Sequence, residues 1–394
     1  MSTKSDPRDS GSAKRDGAAL FRRMLDVDHG VAPDEHAAKN IAELRVRFDT
    51  AATALEAAAI PVHELPWYVI IGAPGSGNST LLRNSGLHFP LQKDDEPAQV
   101  LGVGGTRYCE WWFTDEAVFL DIAGRYVAHE TRNRKDVLSA RIAWHRFLDL
   151  VRQFRPRQTL AGAIVTVSVT DLLLWAKPER QQFAAHVRMR IAELYAGLGT
   201  RFPVYLLVTK MDLLAGFAEF FSGMDAAARE QVWGTTFDLG IDPLELSKTY
   251  TDDFGALQDR LYAEMLARLE EEPDLVRRAS IYRFPQQFHA IGPLVQEILA
   301  LGFSTHVDDQ PLMLRGVYFA CASQAGMPID RVMRTLERAF KLDYSEVEAT
   351  GPGEPYFITR LLREVVLPEA GLAVDDSVPW QTGTVAPSRS ASSG

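Results

Sequence analysis

Short, wholly apolar runs alternate through the middle of the chain with segments whose apolar residues recur at helical spacing. The runs WYVII, AIVTVSV and PVYLLVT are typical of strands that are buried on both faces, and they occupy residues 67–71, 163–169 and 203–209. Between them, residues 137–151 and 178–198 place their apolar side chains on one helical face. This alternation predicts an α/β fold with a mainly parallel sheet flanked by helices.

Further strands are predicted on both sides of a long helical region. Residues 107–113 and 117–121 form a pair of β-type runs joined by a turn-like Thr-Asp-Glu. After Leu214 the pattern is helical for about ninety residues, a rough boundary, with a leucine-rich stripe that includes Leu266 and a later helix over 285–301. The run LMLRGVYFACA then returns to strand character. We therefore expect one sheet that contains the strands at 67–71, 117–121, 163–169, 203–209 and 313–320.

The two ends of the chain differ from this central pattern. The first residues are small, polar and charged, which predicts disorder, and an Ala- and Leu-rich helix follows them. The expected division is a disordered segment (1–35), a lead-in helix (36–66), an α/β unit (67–214), a helical insertion (215–310), a returning strand and helix (311–345) and a C-terminal extension with a loose tail (346–394).

Composition excludes several classes of protein. The formal net charge of −10 argues against binding to nucleic acid, which normally requires a basic face. Cys109 and Cys321 are the two cysteines, so no disulfide framework is expected. The polar N-terminal residues do not resemble a signal peptide, and no segment predicts a transmembrane helix. As given, the chain is expected to be soluble.

A glycine-rich turn, GAPGSGNST, follows the first apolar strand and precedes a helix. Its spacing fits the phosphate-loop pattern G-x-x-x-x-G-K-[ST], in which backbone amides wrap phosphates at a helix N-terminus. Asn78 stands where the pattern has lysine, and Ser79 supplies the metal-binding hydroxyl. A tight strand–helix connection is the alternative. The candidate nucleotide-binding residues of this turn are Gly72, Gly75, Ser76, Gly77, Asn78, Ser79 and Thr80.

A second motif lies at the end of the apolar strand VFLDI. Asp121 and Gly124 match the D-x-x-G element of GTPases, in which the carboxylate orders a magnesium-bound water and the glycine amide contacts the γ-phosphate. An aspartate after a strand is also a common turn-former. Thr106 lies in a glycine-rich stretch and is a candidate switch threonine, although a hinge explains that stretch equally well. The candidate Mg²⁺ ligands are Ser79, Thr106 and Asp121.

A third motif, Thr209-Lys210-Met211-Asp212, ends the strand PVYLLVT. It resembles the N/T-K-x-D element, in which the aspartate accepts hydrogen bonds from guanine and the lysine stem packs over the base. A charged strand end is the alternative interpretation of so short a peptide. A weaker match is Cys321-Ala322-Ser323, which stands where an S-A-x loop would meet the base. Three motifs in this order indicate a GTPase-like nucleotide site.

These motifs and their long flanks resemble the TssM (IcmF-like) family of bacterial type VI secretion. The matching segments are ELPWYVIIGAPGSGNSTLLRNSGLHFPL, GVGGTRYCEWWFTDEAVFLDIAGRY, FPVYLLVTKMDLLAGFAEFF and LMLRGVYFACASQAG, within residues 60–340. The resemblance implies a P-loop GTPase-like domain on the cytoplasmic face of the inner membrane. In the full-length family protein this domain is tethered to the membrane. Its implied partners are other inner-membrane subunits and baseplate proteins of the secretion system.

Asn78 decides between the functions that this resemblance implies. An asparagine lacks the positive charge that lysine gives to the β- and γ-phosphates, and losing one charge-assisted contact costs roughly 1.5–3 kcal/mol. GTP (or ATP) with Mg²⁺ is the implied cofactor, bound weakly or not at all, and NTP hydrolysis is expected to be absent or very weak. The sequence therefore favours a structural docking module. The alternatives are an active GTPase or ATPase that powers or gates assembly, and a soluble regulatory GTPase.

Overall fold

The computed structural model describes most of the central part of the chain. The described residues are 64–89, 109–122, 144, 148, 151–152, 160–239, 241–304, 311–322 and 355–375. Several parts of the chain named above lie outside these ranges: the predicted disordered segment, residues 36–63 of the lead-in helix, Thr106, Gly124 and the tail beyond residue 375. So do the residues of the predicted helix after the returning strand.

The predicted apolar runs form one sheet of seven strands. The strands of this sheet are β1 (Trp67–Gly72), β2 (Cys109–Phe113), β3 (Val118–Ile122), β4 (Gly162–Ser168), β6 (Val204–Thr209), β7 (Gly234–Thr236) and β8 (Leu314–Phe319). Their order is β2-β3-β1-β4-β6-β8-β7. The five central strands are parallel, and the two edge strands β2 and β7 are antiparallel to their neighbours. The expected α/β fold is confirmed, and β8 lies in the sheet as predicted.

The helices cover the sheet on its faces. Those described are α1 (Asn78–Arg83), α2 (Val169–Leu174), α3 (Lys177–Leu198), α4 (Phe217–Phe221), α5 (Ala226–Arg229), α6 (Leu246–Glu271) and α7 (Leu275–Gly302). Trp144, Leu148 and Val151 are also helical and buried, at the spacing predicted for residues 137–151. Every residue of β1, β3, β4, β6 and β8 is buried, which explains why these strands read as continuous apolar runs. No helix in the described ranges has both the length and the apolar character required to cross a bilayer.

The second long helix begins ten residues earlier than the sequence predicted. The sequence predicted a helix over 285–301, but α7 begins at Leu275 and runs through both Pro285 and Pro293. Asp274 caps this helix, because its carboxylate accepts hydrogen bonds from the amides of Val276 and Arg277 at 2.8 and 2.9 Å. Packing of α7 against α6 and α3 then outweighs the hydrogen bond that each proline removes.

Two further features of the helical region differ from the prediction. Leu266 was placed on the buried stripe of α6, but its side chain is 62% exposed, whereas Leu261 and Met265 are buried. The region also contains a strand, β7, which pairs with β8 at the edge of the sheet. Gly234 explains why this strand was not predicted. A Cβ at Gly234 would lie 2.3 Å from the backbone oxygen of Val317, so the position excludes the β-branched residues that mark strands.

Residues 355–375 form a continuous packed segment that we call the C-terminal strap. It contains a π-helical turn (Leu361–Val366), a 3₁₀ turn (Pro368–Leu372) and β9 (Val374–Asp375), which pairs with β5 (Thr200–Arg201) in a separate two-stranded sheet. The strap contributes buried apolar side chains to the core at positions Phe357, Ile358, Leu361, Leu362 and Val366. It belongs to the segment predicted as a C-terminal extension, and it is an integral part of the fold.

Candidate functional site

The phosphate loop connects β1 to α1 at the carboxyl end of the parallel strands. Gly75 and Gly77 have φ angles of 77° and 90°, which is the left-handed region that glycine adopts without strain. Gly77 precedes α1, and the Leu81 amide donates to the Gly77 carbonyl at 2.9 Å. The two glycines therefore let the chain turn sharply from strand into helix, as a phosphate loop requires.

The amide of Asn78 is held by hydrogen bonds inside the protein. Its Nδ2 donates to Asp121 Oδ1 at 2.8 Å, and its Oδ1 accepts from Thr166 Oγ1 at 2.6 Å and from Ser76 Oγ at 3.0 Å. The Ser76 and Thr166 hydroxyls also lie 3.1 Å apart. Asn78, which occupies the lysine position of the motif, therefore makes its hydrogen bonds within the protein. Its neutral amide also lacks the positive charge with which a lysine would bind a phosphate.

Asp121 lies at the end of β3 with both carboxylate oxygens engaged. Ser79 Oγ donates to Oδ2 at 3.4 Å, and Asn78 Nδ2 donates to the other oxygen, Oδ1. The residue is only 9% exposed. Burial raises the pKa of Asp121 to about 7, and the nearby charge of Glu110 adds to the rise, while the hydrogen bonds from Asn78 and Ser79 oppose it. This carboxyl group therefore changes charge near neutral pH.

The predicted base-reading motif follows β6, at the same edge of the sheet. Thr209 Oγ1 donates to the carbonyl of Ser76 at 2.6 Å, so this strand end is joined directly to the phosphate loop. Lys210 has a φ of 59° and precedes the 3₁₀ turn Met211–Leu213, which holds the half-buried Asp212. Burial raises the pKa of Asp171, and the Ser168 hydrogen bond and the positive charge of Lys210 oppose that rise. The positive charge of Lys210 therefore stabilises the ionised form of the Asp171 carboxyl group.

The structure brings together most of the residues that the motifs selected. Three of these groups lie at the carboxyl ends of parallel strands, where open α/β sheets bind ligands. They are the turn from Gly72 to Thr80, the carboxylate residue Asp121, and the segment from Thr209 to Asp212. The loop that follows β8 reaches the same edge, and Asn84 Nδ2 donates to the Ala322 carbonyl at 2.6 Å. Gly124, Thr106 and Ser323 lie outside the described residues.

The oxygen atoms near Asn78 fit a magnesium ion in their chemistry. Mg²⁺ prefers hydroxyl, carboxylate and phosphate oxygens, and Ser79 and Asp121 supply the first two types side by side. These two residues would hold the ion together with nucleotide phosphates and water. Within the described residues, no three His, Cys, Asp or Glu side chains gather into a metal-binding group.

Thr166 is the residue of this site that the sequence motifs did not select. It lies on β4, is fully buried, and connects the Asn78 amide to Ser76. The sequence feature that could have identified it is a polar side chain in the middle of the apolar run AIVTVSV. A buried hydroxyl needs a partner, so a threonine one strand away from the phosphate loop points to a contact with that loop.

Gly72 provides a test of how tightly this network is packed. A Cβ at Gly72 would lie 2.0 Å from Thr166 Oγ1 and 2.5 Å from Ser76 Oγ. We expect Gly72→Ala to lower the free energy of unfolding by about 1–3 kcal/mol, as overpacking does. Thr166→Ala should recover part of that loss in the double variant, because it removes the nearest atom. Urea denaturation of both single variants and the double variant measures the coupling.

A matched control for this substitution exists in α6. A Cβ at Gly255 meets no atom within 4 Å, so Gly255→Ala should be neutral or should stabilise the helix by about 0.5–1 kcal/mol. Equal effects of the two glycine substitutions, or no coupling between positions 72 and 166, would contradict the close packing of the loop.

Comparison with known proteins assigns a family to the chain. Residues 139–382 match the family model described as the IcmF-related N-terminal domain. The protein named type VI secretion system component TssM1, from Pseudomonas aeruginosa, is 43% identical over 361 residues, which cover 89% of this chain. The match covers 32% of that relative, so the chain spans about a third of its length.

A solved structure was also found, with a much lower similarity. It is the small COPII coat GTPase Sar1 from Encephalitozoon cuniculi in complex with GDP, with 13% identity and a TM-score of 0.29, covering 78% of this chain and 96% of that one. The α/β fold of this chain is identified by the strand order of its own sheet. The family model covers more than half of the chain, and the chain therefore belongs to the family of IcmF-related N-terminal domains, the family that its motifs resemble.

Proposed function

We propose that this chain is the cytoplasmic domain of an inner-membrane subunit of a type VI secretion system. In this proposal it is a docking module for other inner-membrane subunits and for baseplate proteins, at the cytoplasmic face of the inner membrane. Its family and its 43% identity to a type VI secretion component support the assignment to that system. The net charge of −10 is consistent with protein partners rather than nucleic acid.

The main observation that supports the docking role is the hydrogen bonding of Asn78. Its amide donates to Asp121 and accepts from Thr166 and Ser76, so the position that should carry a phosphate-binding charge instead takes part in an internal hydrogen-bond network. Fast phosphoryl transfer needs a positive charge where negative charge develops. The phosphate loop of this chain is therefore proposed to act as a structural part of the docking module, with weak binding of GTP or ATP or none.

The second candidate is an active GTPase or ATPase that powers or gates assembly. The observation in its favour is that other parts of such a site are present, namely the loop glycines, the adjacent Ser79 and Asp121, and the Thr209–Asp212 segment next to Ser76. In this alternative, Mg²⁺ held by Ser79 and Asp121 would neutralise phosphate charge, and the affinity for partners would depend on the nucleotide.

One experiment separates the two candidates. The chain is immobilised, and binding of purified inner-membrane and baseplate subunits is titrated without nucleotide and with Mg²⁺–GTP or Mg²⁺–ATP, while phosphate release is followed in the same samples. A docking module should bind at least one subunit with an affinity that nucleotide changes by less than about twofold, and it should release no phosphate above an Asp121→Asn control. Nucleotide-dependent binding with turnover would support the gating enzyme, and no binding to any subunit would contradict the docking role.

A further inference from the structure

Helices α6 and α7 form an antiparallel hairpin, and two contacts set its register. Gln258 Nε2 donates to the Pro285 carbonyl at 2.7 Å, and about one turn away the rings of Phe254 and Phe288 stack with their centroids 4.8 Å apart. The residue numbers in these pairs fall on α6 as they rise on α7. Residues of α6 beyond position 258 therefore lie level with residues of α7 before position 285, and the turn between the helices is the tip of the hairpin.

The tip of this hairpin exposes a large amount of apolar surface. Among the described residues, nine large hydrophobic side chains are exposed, and five of them lie between positions 262 and 282. They are Tyr262 and Leu266 on α6, and Leu275, Val276 and Tyr282 on α7. Leu266, Leu275 and Tyr282 are 62%, 78% and 55% exposed. Apolar side chains that gather in this way at a protein surface indicate an interaction site.

The two apolar residues of α6 lie along its edge next to α7. Gln258 marks this edge, since its side chain reaches the Pro285 carbonyl. Tyr262 and Leu266 follow Gln258 at intervals of four residues, which keeps them on nearly the same side of the helix. Gly255, seven residues before Tyr262, adds open space along this edge, because a Cβ there would meet no described atom within 4 Å.

The apolar residues of α7 form the other side of the same groove. Leu275 and Tyr282 are seven residues apart, and two further steps of seven lead to Gln296. Gln296 Nε2 donates to Thr251 Oγ1 of α6 at 3.1 Å, so this line of residues follows the edge of α7 next to α6. We call the surface between the two helices the hairpin groove, and its apolar residues are Tyr262, Leu266, Leu275 and Tyr282.

The α6 side of the hairpin groove carries acidic side chains. Asp252, Asp259 and Leu266 are seven residues apart, so both carboxylates continue the line of Leu266, and Glu270 lies about one turn beyond it. These three acidic side chains are exposed, and none of them forms an ion pair with a described residue. On the α7 side the exposed Arg278 lies level with Leu266. The groove is therefore apolar between the helices and acidic along its α6 edge.

A helix with one apolar and one basic side fits this groove. Its apolar side chains, at spacings of three and four residues, would contact the two leucines and the two tyrosines, as in other cases where a helix binds in a groove. Lys or Arg along the flank facing α6 would pair with the carboxylates at positions 252, 259 and 270, which favours such a helix over a neutral one. A third helix in this position would also bury the apolar side chains that the hairpin exposes.

The same charges disfavour two other occupants. A membrane surface of anionic lipid would face the carboxylates of α6, and like charges repel. A second copy of the chain would bring the same acidic edge to the interface, and each copy has a net charge of −10. A basic partner meets neither obstacle.

We propose that the hairpin groove binds a basic amphipathic helix of a partner protein. Leu266 and Tyr282 are the apolar anchors of this interface, and Asp259 and Glu270 select for a basic helix. This inference rests on the proposed docking function, because it names the surface and the partner chemistry through which an inner-membrane or baseplate subunit binds.

A designed peptide tests the groove without any subunit. The labelled peptide forms a helix of about 20 residues, with leucines at spacings of three and four residues and lysines on one flank, and a second peptide has glutamate in place of every lysine. We expect the lysine peptide to bind the whole chain at least about tenfold more tightly than the glutamate peptide in fluorescence anisotropy. Leu266→Glu should weaken that binding at least about tenfold, and Asp259→Lys combined with Glu270→Lys should reverse the order of the two peptides.

Matched control variants lie outside the groove. Leu244→Glu changes a leucine that is 76% exposed and precedes α6. Glu271→Lys combined with Glu179→Lys changes the net charge by the same amount as the groove double variant. Glu271 is exposed and lies about 220° of helical rotation from Gln258, on the side of α6 away from α7, and Glu179 is exposed on α3. We expect these controls to keep the order of the two peptides, which separates the groove from the overall charge of the chain.

The purified subunits that test the proposed function give the second readout. Leu266→Glu and Tyr282→Glu should each weaken the binding of at least one subunit by at least about tenfold, whereas Leu244→Glu should not. If subunits bind and neither groove variant weakens them, docking uses another surface, so the inference is wrong while the proposed function stands. If no subunit binds, the proposed function fails, and the peptide titration alone decides whether the groove takes a basic helix.

The remaining outcomes concern the peptides and the other occupants. Equal binding of the two peptides, or binding that Leu266→Glu leaves unchanged, overturns the inference. Light scattering of the chain and flotation with vesicles of phosphatidylglycerol and phosphatidylethanolamine complete the test. Dimerisation or vesicle binding that Leu266→Glu abolishes would assign the groove to a second copy or to the membrane, and would also overturn the inference.

Discussion

Replacing Asn78 with lysine is expected to tighten the binding of Mg²⁺–GTP or Mg²⁺–ATP by about ten- to hundredfold. This gain corresponds to one restored charge-assisted contact, worth roughly 1.5–3 kcal/mol, in a loop whose glycine turns are already formed. In the native chain the amide at this position is engaged by Asp121, Thr166 and Ser76. A titration with fluorescent guanine and adenine nucleotides, with and without Mg²⁺, measures the change.

Asn78→Met is the matched control for this substitution. Methionine has a length similar to that of lysine and also breaks the network around Asn78, but it brings no charge. If Met gives the same gain as Lys, release of the network is the cause, and the charge is not. If neither variant binds nucleotide more tightly than the native chain, the site has degenerated at more than one position. The phosphate loop would then be purely structural.

The second large effect is expected from Asp121→Asn, and it should depend on pH. Burial raises the pKa of Asp121 to about 7, whereas an unfolded aspartate titrates near 4. Between these values the folded protein holds a proton that the unfolded chain has lost, so this group makes stability fall as pH rises from about 4 to about 7. A pKa difference of about 1 between the folded and unfolded states is worth about 1.4 kcal/mol, so the loss reaches at most roughly 4 kcal/mol.

The asparagine variant should lack this pH dependence. Its Oδ1 can still accept from Asn78 and its amide can donate to Ser79, so both contacts of the carboxylate have a substitute. Urea denaturation should show that the stability advantage of the variant over the native chain increases by at most roughly 3 kcal/mol between pH 5 and pH 8. Asp252→Asn, at an exposed position on α6, should shift stability equally at both pH values. Parallel pH profiles for the native chain and Asp121→Asn would mean that folding does not raise the pKa of Asp121, which would contradict the prediction.

The parallel strands were predictable because burial on both faces leaves a continuous apolar signal in the sequence. The runs at β1, β3, β4, β6 and β8 were all placed to within one or two residues. The edge strand β7 was missed, since three residues that include a glycine carry no such pattern. The start of α7 was missed because an aspartate cap and the packing of a long helix outweigh the local effect of Pro285.

The motifs located the candidate site, but their spacing could not show how its side chains are bonded. The sequence alone is enough to recognise the family, the turn from Gly72 to Thr80 and the absence of the lysine, because these features depend on residue identity and order. Three features emerge only in the folded chain: the bond from Asn78 to Asp121, the contribution of Thr166 from another strand, and the contacts of the C-terminal strap with Gly86 and Tyr205. Such contacts join residues 43 to 277 positions apart, and their geometry is set by strand order and packing rather than by any local pattern.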